Sequence, residues 1–164
     1  VNTTAVLLRP ARVEDAPRVA EIFLASRRAH VAFAPLVHSE AEVRRWIAGR
    51  VALGGGITVA ERAGRLLGYV ETGVEADAAW IEQLYLDPSE TGHGLGTRLL
   101  NAALAQLAAS GLAVRLYTFQ ANAGARRFYE RHGFAAVAFG DGSGNEEGCP
   151  DVLYERPAGA EIQT

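Results

Sequence analysis

The run Trp80-Ile81-Glu82-Gln83-Leu84-Tyr85-Leu86-Asp87-Pro88-Ser89-Glu90-Thr91-Gly92-His93-Gly94-Leu95-Gly96-Thr97-Arg98-Leu99-Leu100 passes from a strand through a glycine-rich turn into a helix. Residues 80–86 carry aromatic and branched side chains and are bounded by Asp77-Ala78 before and Asp87-Pro88-Ser89 after, which predicts a strand. Beyond the turn, Leu99, Leu100, Ala103, Leu104 and Leu107 fall on one helical face. Several backbone N–H groups of residues 92–97 therefore converge at the positive end of a helix dipole, the arrangement that binds an anion. Glycine permits both the unusual dihedrals and the close approach of phosphate oxygens to the backbone, so the expected ligand carries phosphates. Neither Gly-Lys-Ser/Thr nor Gly-x-Gly-x-x-Gly with a later acidic residue is present, which excludes a P-loop and a dinucleotide fingerprint. Taken alone, the turn reads equally well as a structural glycine loop.

Outward from this run the pattern is regular. Gly111 ends the helix ahead of a strand over 113–119, and Asn122 caps a helix running through Phe128 and Tyr129 to His132. Gly133 suits the left-handed position after that helix, and the last strands are expected over 134–139 and 152–154. Toward the N-terminus, a strand over 5–8 leads through Arg9-Pro10 into a helix with Val19, Ile22, Phe23 and Ser26 at helical spacing. Ser39 with Glu40 and Glu42 starts a second helix carrying Val43, Trp46, Ile47 and Val51, which closes at Gly54-Gly55-Gly56. Strands over 57–60 and 66–74, joined by Glu61-Arg62-Ala63-Gly64, make a hairpin. The order is α+β with one open sheet, in a single domain over residues 1–164. The tail from about residue 158 is expected to be disordered, with little to anchor Gly159 onward.

Composition narrows the function. A chain of 164 residues with 49% apolar content buries a core without a staple. A net charge of −3 and no arginine stripe argue against a nucleic-acid partner. No segment reaches the roughly 20 apolar residues that span a bilayer, and no basic leader precedes an apolar stretch, so no membrane partner is expected. Cys149 is the single cysteine, so no internal disulfide forms, no zinc spacing exists, and the cytoplasm is the expected compartment. All 16 basic residues are arginine, which excludes a lysine Schiff base. The loop from Gly140 through Asp141, Gly142, Ser143, Gly144 and Asn145 has the look of a calcium loop. Its sixth position is Glu146 where glycine is required and its twelfth is Val152, so no metal is expected there.

The stretch from Leu84 to Leu100 resembles the acetyl-CoA signature Gln/Arg-x-x-Gly-x-Gly/Ala of the GNAT N-acetyltransferases, with Thr91, Gly94 and Gly96 at its defined positions. Thr91 stands where that family has Gln or Arg, which removes one side-chain contact to phosphate and implies weaker CoA binding. A second segment, Asn122-Ala123-Gly124-Ala125-Arg126-Arg127-Phe128-Tyr129-Glu130-Arg131-His132-Gly133-Phe134, is similar to the family's Asn-x-x-Ala-x-x-Phe-Tyr-x-x-x-Gly-Phe. Leu8-Arg9-Pro10-Ala11 with Glu14-Asp15 resembles its opening, so the likeness runs from residue 7 to about 156. The resemblance implies a three-layer α/β/α fold, with a twisted and mostly antiparallel sheet splayed between its fourth and fifth strands. It also implies acetyl-CoA as co-substrate, its pantetheine arm lying between those strands and bonded to the backbone of Leu84, Tyr85 and Leu86. The phosphates would lie on Thr91, Gly92, His93, Gly94, Leu95, Gly96 and Thr97, with Asn122, Phe128 and Tyr129 along the arm. A homodimer is a further implication.

Acetyl transfer to an amine needs a neutral nucleophile, a polarised thioester and a proton source for the departing thiolate. Tyr129 is the chosen proton source: a phenol near pKa 10 can share a proton with a thiol near 8.5, as rough reference values. The alternative is a packing role on the buried face of its helix. Glu82, in the strand before the cradle, is the acidic candidate for the base, acting through a water. Alternatively it lies on the wet side of a strand whose alternation puts Trp80, Glu82 and Leu84 together. The amide of Leu84 or Leu86 would hold the thioester oxygen if the strand is bulged. His93 sits between glycines and is read as exposed; His30, His38 and His132 show no partner in the sequence, and Cys149 reads as an inert thiol. The acidic loop 145–151 is either a solvated connection or an attraction for a cationic acceptor, and selectivity is expected around residues 30–38. Three readings remain open: an N-acetyltransferase acting on a primary amine of a small molecule or peptide, a non-catalytic acyl-CoA sensor, and a phosphate binder using the turn alone.

Overall fold

The computed structural model describes residues 5–162. In chain order the elements are β1 (Leu7–Pro10), α1 (Ala16–His30), α2 (Glu40–Leu53), β2 (Ile57–Arg62), β3 (Arg65–Val74), β4 (Ala79–Leu86), α3 (Leu95–Leu107), β5 (Val114–Phe119), α4 (Ala123–Arg131), β6 (Ala135–Phe139) and β7 (Asp151–Arg156). The strands form one sheet in the order β1-β2-β3-β4-β5-β7-β6. Every neighbouring pair is antiparallel except β4 and β5.

Two helices cover each face, which makes the three layers. On one side α1 and α2 set Val19, Ile22, Phe23, Val43, Ile47 and Val51 against Val59 and Tyr69 of the sheet. On the other, α3 sets Leu99, Leu100, Ala103, Leu104 and Leu107 against Val70, Ile81, Leu116 and Tyr154. The five apolar positions of α3 named from the sequence are all buried, because helical spacing puts them on one stripe and the sheet needs a cover. Ser39 closes a capping box with Glu42 at the start of α2, so that helix begins where its first free amides find a partner.

The β2–β3 hairpin turns on two residues in the left-handed region, Ala63 (φ 51°) and Gly64 (φ 79°), a tighter turn than the four-residue loop expected from sequence. The first strand lies at Leu7–Pro10 rather than 5–8; β1 is an edge strand, where Pro10 lacks no needed donor.

The expected lack of an anchor for the tail is corrected by Arg156. Its buried guanidinium donates to the carbonyls of His132 (3.0 Å), Ala160 (3.2 Å) and Glu161 (2.5 Å), and Ile162 packs on the core. Burial lowers the pKa of Arg156, and the three carbonyls stabilise the cation that remains. Residues 163–164 of that tail lie outside the described residues.

The sheet opens at its centre. β4 and β5 pair only through Ala79 with Val114 and Trp80 with Arg115, and from Ile81 onward the two strands diverge. That opening, with the start of α3 at one end, positions the groups that can do chemistry.

Candidate functional site

The register between β3 and β4 slips by one residue. Glu71 faces Gln83 while Thr72 faces Ile81, so Glu82 is the extra residue of a β-bulge. This corrects the expected alternation. The bulge sends Ile81, Leu84 and Leu86 to the α3 side, and turns Gln83 and Tyr85 to the α1–α2 side. Asp87 N–H donates to Leu67 O at 2.8 Å, which sets the phase of the antiparallel ladder. Tyr85 and Gln83 then bond to β3, and the amides of Leu84 and Leu86 point across the opening toward β5.

The end of β4 is pinned by Asp87, which accepts from Ser89 N (3.0 Å) and Oγ (2.7 Å), Arg18 (2.5 Å) and Arg65 (3.1 Å). Burial pushes the Asp87 carboxyl upward, but these donors outweigh it and hold the pKa well below the usual range. The next turn leaves its amides free: the N–H groups of residues 92–97 donate to no described residue, and the first backbone bond of the helix is Arg98 N to Gly94 O. Gly92 and Gly94 both adopt φ +79°. A Cβ on Gly96 would stand 3.4 Å from the Phe128 ring, so α3 approaches α4 closely at the cradle. His93 is exposed, as read. The Thr91 hydroxyl caps Pro88 O at 3.0 Å.

His132, read as partnerless, is partnered twice. Its Nδ1 donates to Phe128 O (2.7 Å) and its Nε2 accepts from the Thr97 hydroxyl (3.1 Å), tying the first turn of α3 to the last turn of α4. The two residues are 35 apart in sequence, so no local spacing reveals the pair.

Tyr129 is buried on α4, clamped by the rings of Phe128 (5.2 Å), Phe134 (5.7 Å) and Tyr154 (6.4 Å between centroids). Its hydroxyl makes no hydrogen bond to a described residue, and it lines a cavity of about 120 Å³ in the β4–β5 opening, with Leu84, Tyr85, Asn122 and Glu82. Burial, then Tyr85, raises the phenol pKa, so the hydroxyl stays protonated and available as a donor. Asn122 Oδ1 accepts from Ala125 N at 3.1 Å, the cap expected of it.

Glu82 belongs to the opening and also to a larger cavity of about 600 Å³ on the α1–α2 side. Its carboxylate folds back over Gly73, where a Cβ would meet Oε1 at 2.8 Å. Burial raises its pKa, Arg50 opposes that, and Glu71 and Glu75 add to it. The acidic loop is fastened as well: Glu146 bonds His38 (2.9 Å) and Glu147 bonds Arg27 (3.2 Å), which closes one wall of the same cavity with the connection between α1 and α2. Sequence reading placed selectivity near residues 30–38 but missed Phe23 and Trp46, which read only as helix-face residues, and Arg27, which no pattern singled out. Among the described residues no helix is long and apolar enough to cross a membrane, and no three His, Cys, Asp or Glu side chains gather as metal ligands.

The sequence profile of the Acetyltransferase (GNAT) family matches residues 18–134. A mycothiol acetyltransferase of Thermobispora bispora is 45% identical over 109 residues, 62% of this chain and 33% of the relative. One from Thermomonospora curvata is 39% identical over 106 residues, 62% of this chain and 31% of the relative. The match thus spans about a third of the length of these relatives. Among solved structures, the PaiA N-acetyltransferase of Thermoplasma acidophilum in complex with coenzyme A superposes with a TM-score of 0.72 at 22% identity, over 94% of this chain and 99% of that one. YncA of Salmonella typhimurium with acetyl-CoA gives 0.74 at 20%, over 98% of each chain. A GCN5-related N-acetyltransferase of Rhodopseudomonas palustris gives 0.76 at 25%, over 94% and 96%.

Proposed function

Because this chain belongs to the GNAT acetyltransferase family, we propose that it moves acetyl from acetyl-CoA directly to a primary amine, with the cofactor in the β4–β5 opening. The observation that carries this reading is the set of unengaged groups borne by β4, by the turn that follows it and by α4. Free amides at residues 92–97 mark one end, the unpaired edge of β4 the middle, and the unbonded hydroxyl of Tyr129 the reacting end.

The steps follow from what each group can do. The pyrophosphate accepts hydrogen bonds from the amides at the start of α3, helped by the helix dipole. The amide of Leu84 or Leu86 donates to the thioester oxygen and holds the charge that develops there. The amine arrives on the α1–α2 side beside Glu82 and loses a proton to that carboxylate or through a water. Its nitrogen forms a bond to the thioester carbon and sheds a second proton to solvent, the C–S bond breaks, and the thiolate takes a proton from Tyr129. The phenol regains that proton from solvent, leaving amide, free CoA and one proton released in sum. A phenol raised above its ordinary pKa gives its proton reluctantly, so its first contribution is a hydrogen bond to sulfur as negative charge accumulates.

The test is thermal stabilisation by acetyl-CoA, CoA and ATP separately. At a hundredfold excess over Kd, a ligand of the folded state adds about 2.7 kcal/mol, or about 5–10 °C for a chain of this size. A shift with acetyl-CoA and CoA but not ATP is expected; an unmoved melting temperature at saturating acetyl-CoA would sink the reading.

A further inference from the structure

The larger cavity carries information about the acceptor, an inference that rests on the acetyltransferase activity proposed for the chain. Its apolar wall is a set of interlocked rings. Phe23 meets Trp46 edge-on at 5.8 Å and Tyr85 edge-on at 5.0 Å, and Trp46 remains 46% exposed. Its charged groups are nearly all paired already. Glu71 holds Arg50 at 2.6 Å, Glu147 holds Arg27 at 3.2 Å, and Glu146 holds His38 at 2.9 Å. Glu42 caps Ser39 at 2.8 Å, and the Gln83 carbonyl accepts the Tyr69 hydroxyl at 2.5 Å. Among the carboxylates Glu82 is the exception: it has no hydrogen bond or ion pair with any described residue, and it stands where this cavity meets the β4–β5 opening.

A cavity so arranged discriminates by what it lacks. A sugar amine brings several hydroxyls to satisfy at once, and beyond the Gln83 amide nitrogen and the outer nitrogens of Arg50 the wall offers few uncommitted donors. An α-amino acid brings a carboxylate beside its amine, against Glu82 and with both nearby arginines neutralised. A polyamine brings extra cations but nothing to cover the rings. We propose that the acceptor is a primary amine on a compact apolar body, with 2-phenylethylamine representative of the class. Glu82 receives the ammonium group and Phe23, Trp46 and Tyr85 receive the body. Burying such a body against the rings removes its apolar surface from water, while the ammonium gains a charge partner.

The experiment separates binding from transfer. The chain has two tryptophans, and the Trp80 indole N–H is buried without a partner, so Trp80→Phe is a tolerable change that leaves Trp46 as the reporter. Amine binding is read by Trp46 fluorescence without acetyl-CoA, and transfer by release of the CoA thiol, using 2-phenylethylamine, phenylalanine, glucosamine and spermidine. The expected result is a fluorescence change with 2-phenylethylamine and a kcat/KM at least about tenfold above the other three, like-charge contact being the larger penalty for phenylalanine. Trp46→Ala should raise KM for 2-phenylethylamine about tenfold with KM for acetyl-CoA unmoved. Glu82→Gln should narrow the gap between 2-phenylethylamine and phenylalanine, a change that a merely structural role would not produce. Preference for glucosamine, phenylalanine or spermidine, or no response of Trp46 to 2-phenylethylamine, overturns the assignment. A normal Trp46 response with no thermal shift by acetyl-CoA supports the cavity assignment while removing the acetyltransferase reading.

Discussion

The cradle at the start of α3 and the cavity under α1 and α2 meet at β4, yet they are built by opposite means. The cradle is made of backbone: amides at residues 92–97 left free by a helix start, with glycines at 92 and 94 in the left-handed region. The cavity is made of side chains from distant stretches, Phe23 and Arg27 of α1, Trp46 of α2, Glu82 of β4 and Glu146 and Glu147 of the late loop. A backbone site recognises what all users of one cofactor share. A side-chain site can change residue by residue without disturbing the sheet, so the acceptor is where a common scaffold diversifies.

That contrast can be broken at several depths. The largest effect is expected where the two regions join: Tyr129→Phe should lower kcat about 10²-fold or more with KM for acetyl-CoA unchanged. Melting should hardly move, since the lost hydroxyl holds no described residue; steady-state kinetics and calorimetry together check this. Gly94→Val attacks the backbone site alone. A branched residue forced to φ +79° costs about 1–2 kcal/mol and misaims the amides, so CoA affinity by titration should fall about 10–100-fold, with intrinsic amine binding intact.

Glu82→Gln sharpens the comparison from the other side. Because burial raises the Glu82 pKa, its carboxylate form, the one proposed to take the amine's proton, is lost at a higher pH than for a free carboxyl group. The acid limb of kcat/KM should therefore lie above the ordinary carboxylate range of about 4–5, and Glu82→Gln should flatten it while lowering the rate about tenfold at neutral pH. Smallest is Gly73→Ala: the new methyl displaces the flexible Glu82 carboxylate rather than backbone, so a loss of a few fold in kcat is expected with CoA binding untouched.

Legibility in the sequence followed the same division. The strand, the glycine turn and the stripe on α3 could be read because each is local and periodic, and Asn122 and Gly133 announced the ends of α4 by their cap chemistry. The bulge at Glu82 could not be read, because it arises from register against β3 and not from any residue in β4. Its consequence, Leu84 sharing a side with Ile81, shows how one unpaired residue reverses an alternation argument. Arg156 gave no signal in the sequence, because its three carbonyl partners come together only in the fold. The bond between Thr97 and His132 and the clasp between Arg27 and Glu147 join residues 35 and 120 positions apart, beyond any window of pattern.

The order β5-β7-β6 has a consequence in time. The strand made last, Asp151–Arg156, lies between two made earlier, pairing Tyr154 with Leu116 on one side and with Ala136 on the other. While the chain is being synthesised, β5 and β6 must wait with their facing edges open until residues 151–156 leave the ribosome. Those edges are what a chaperone would meet, and a nascent chain stalled before Asp151 would have α3 without Val152 and Tyr154 to complete its core.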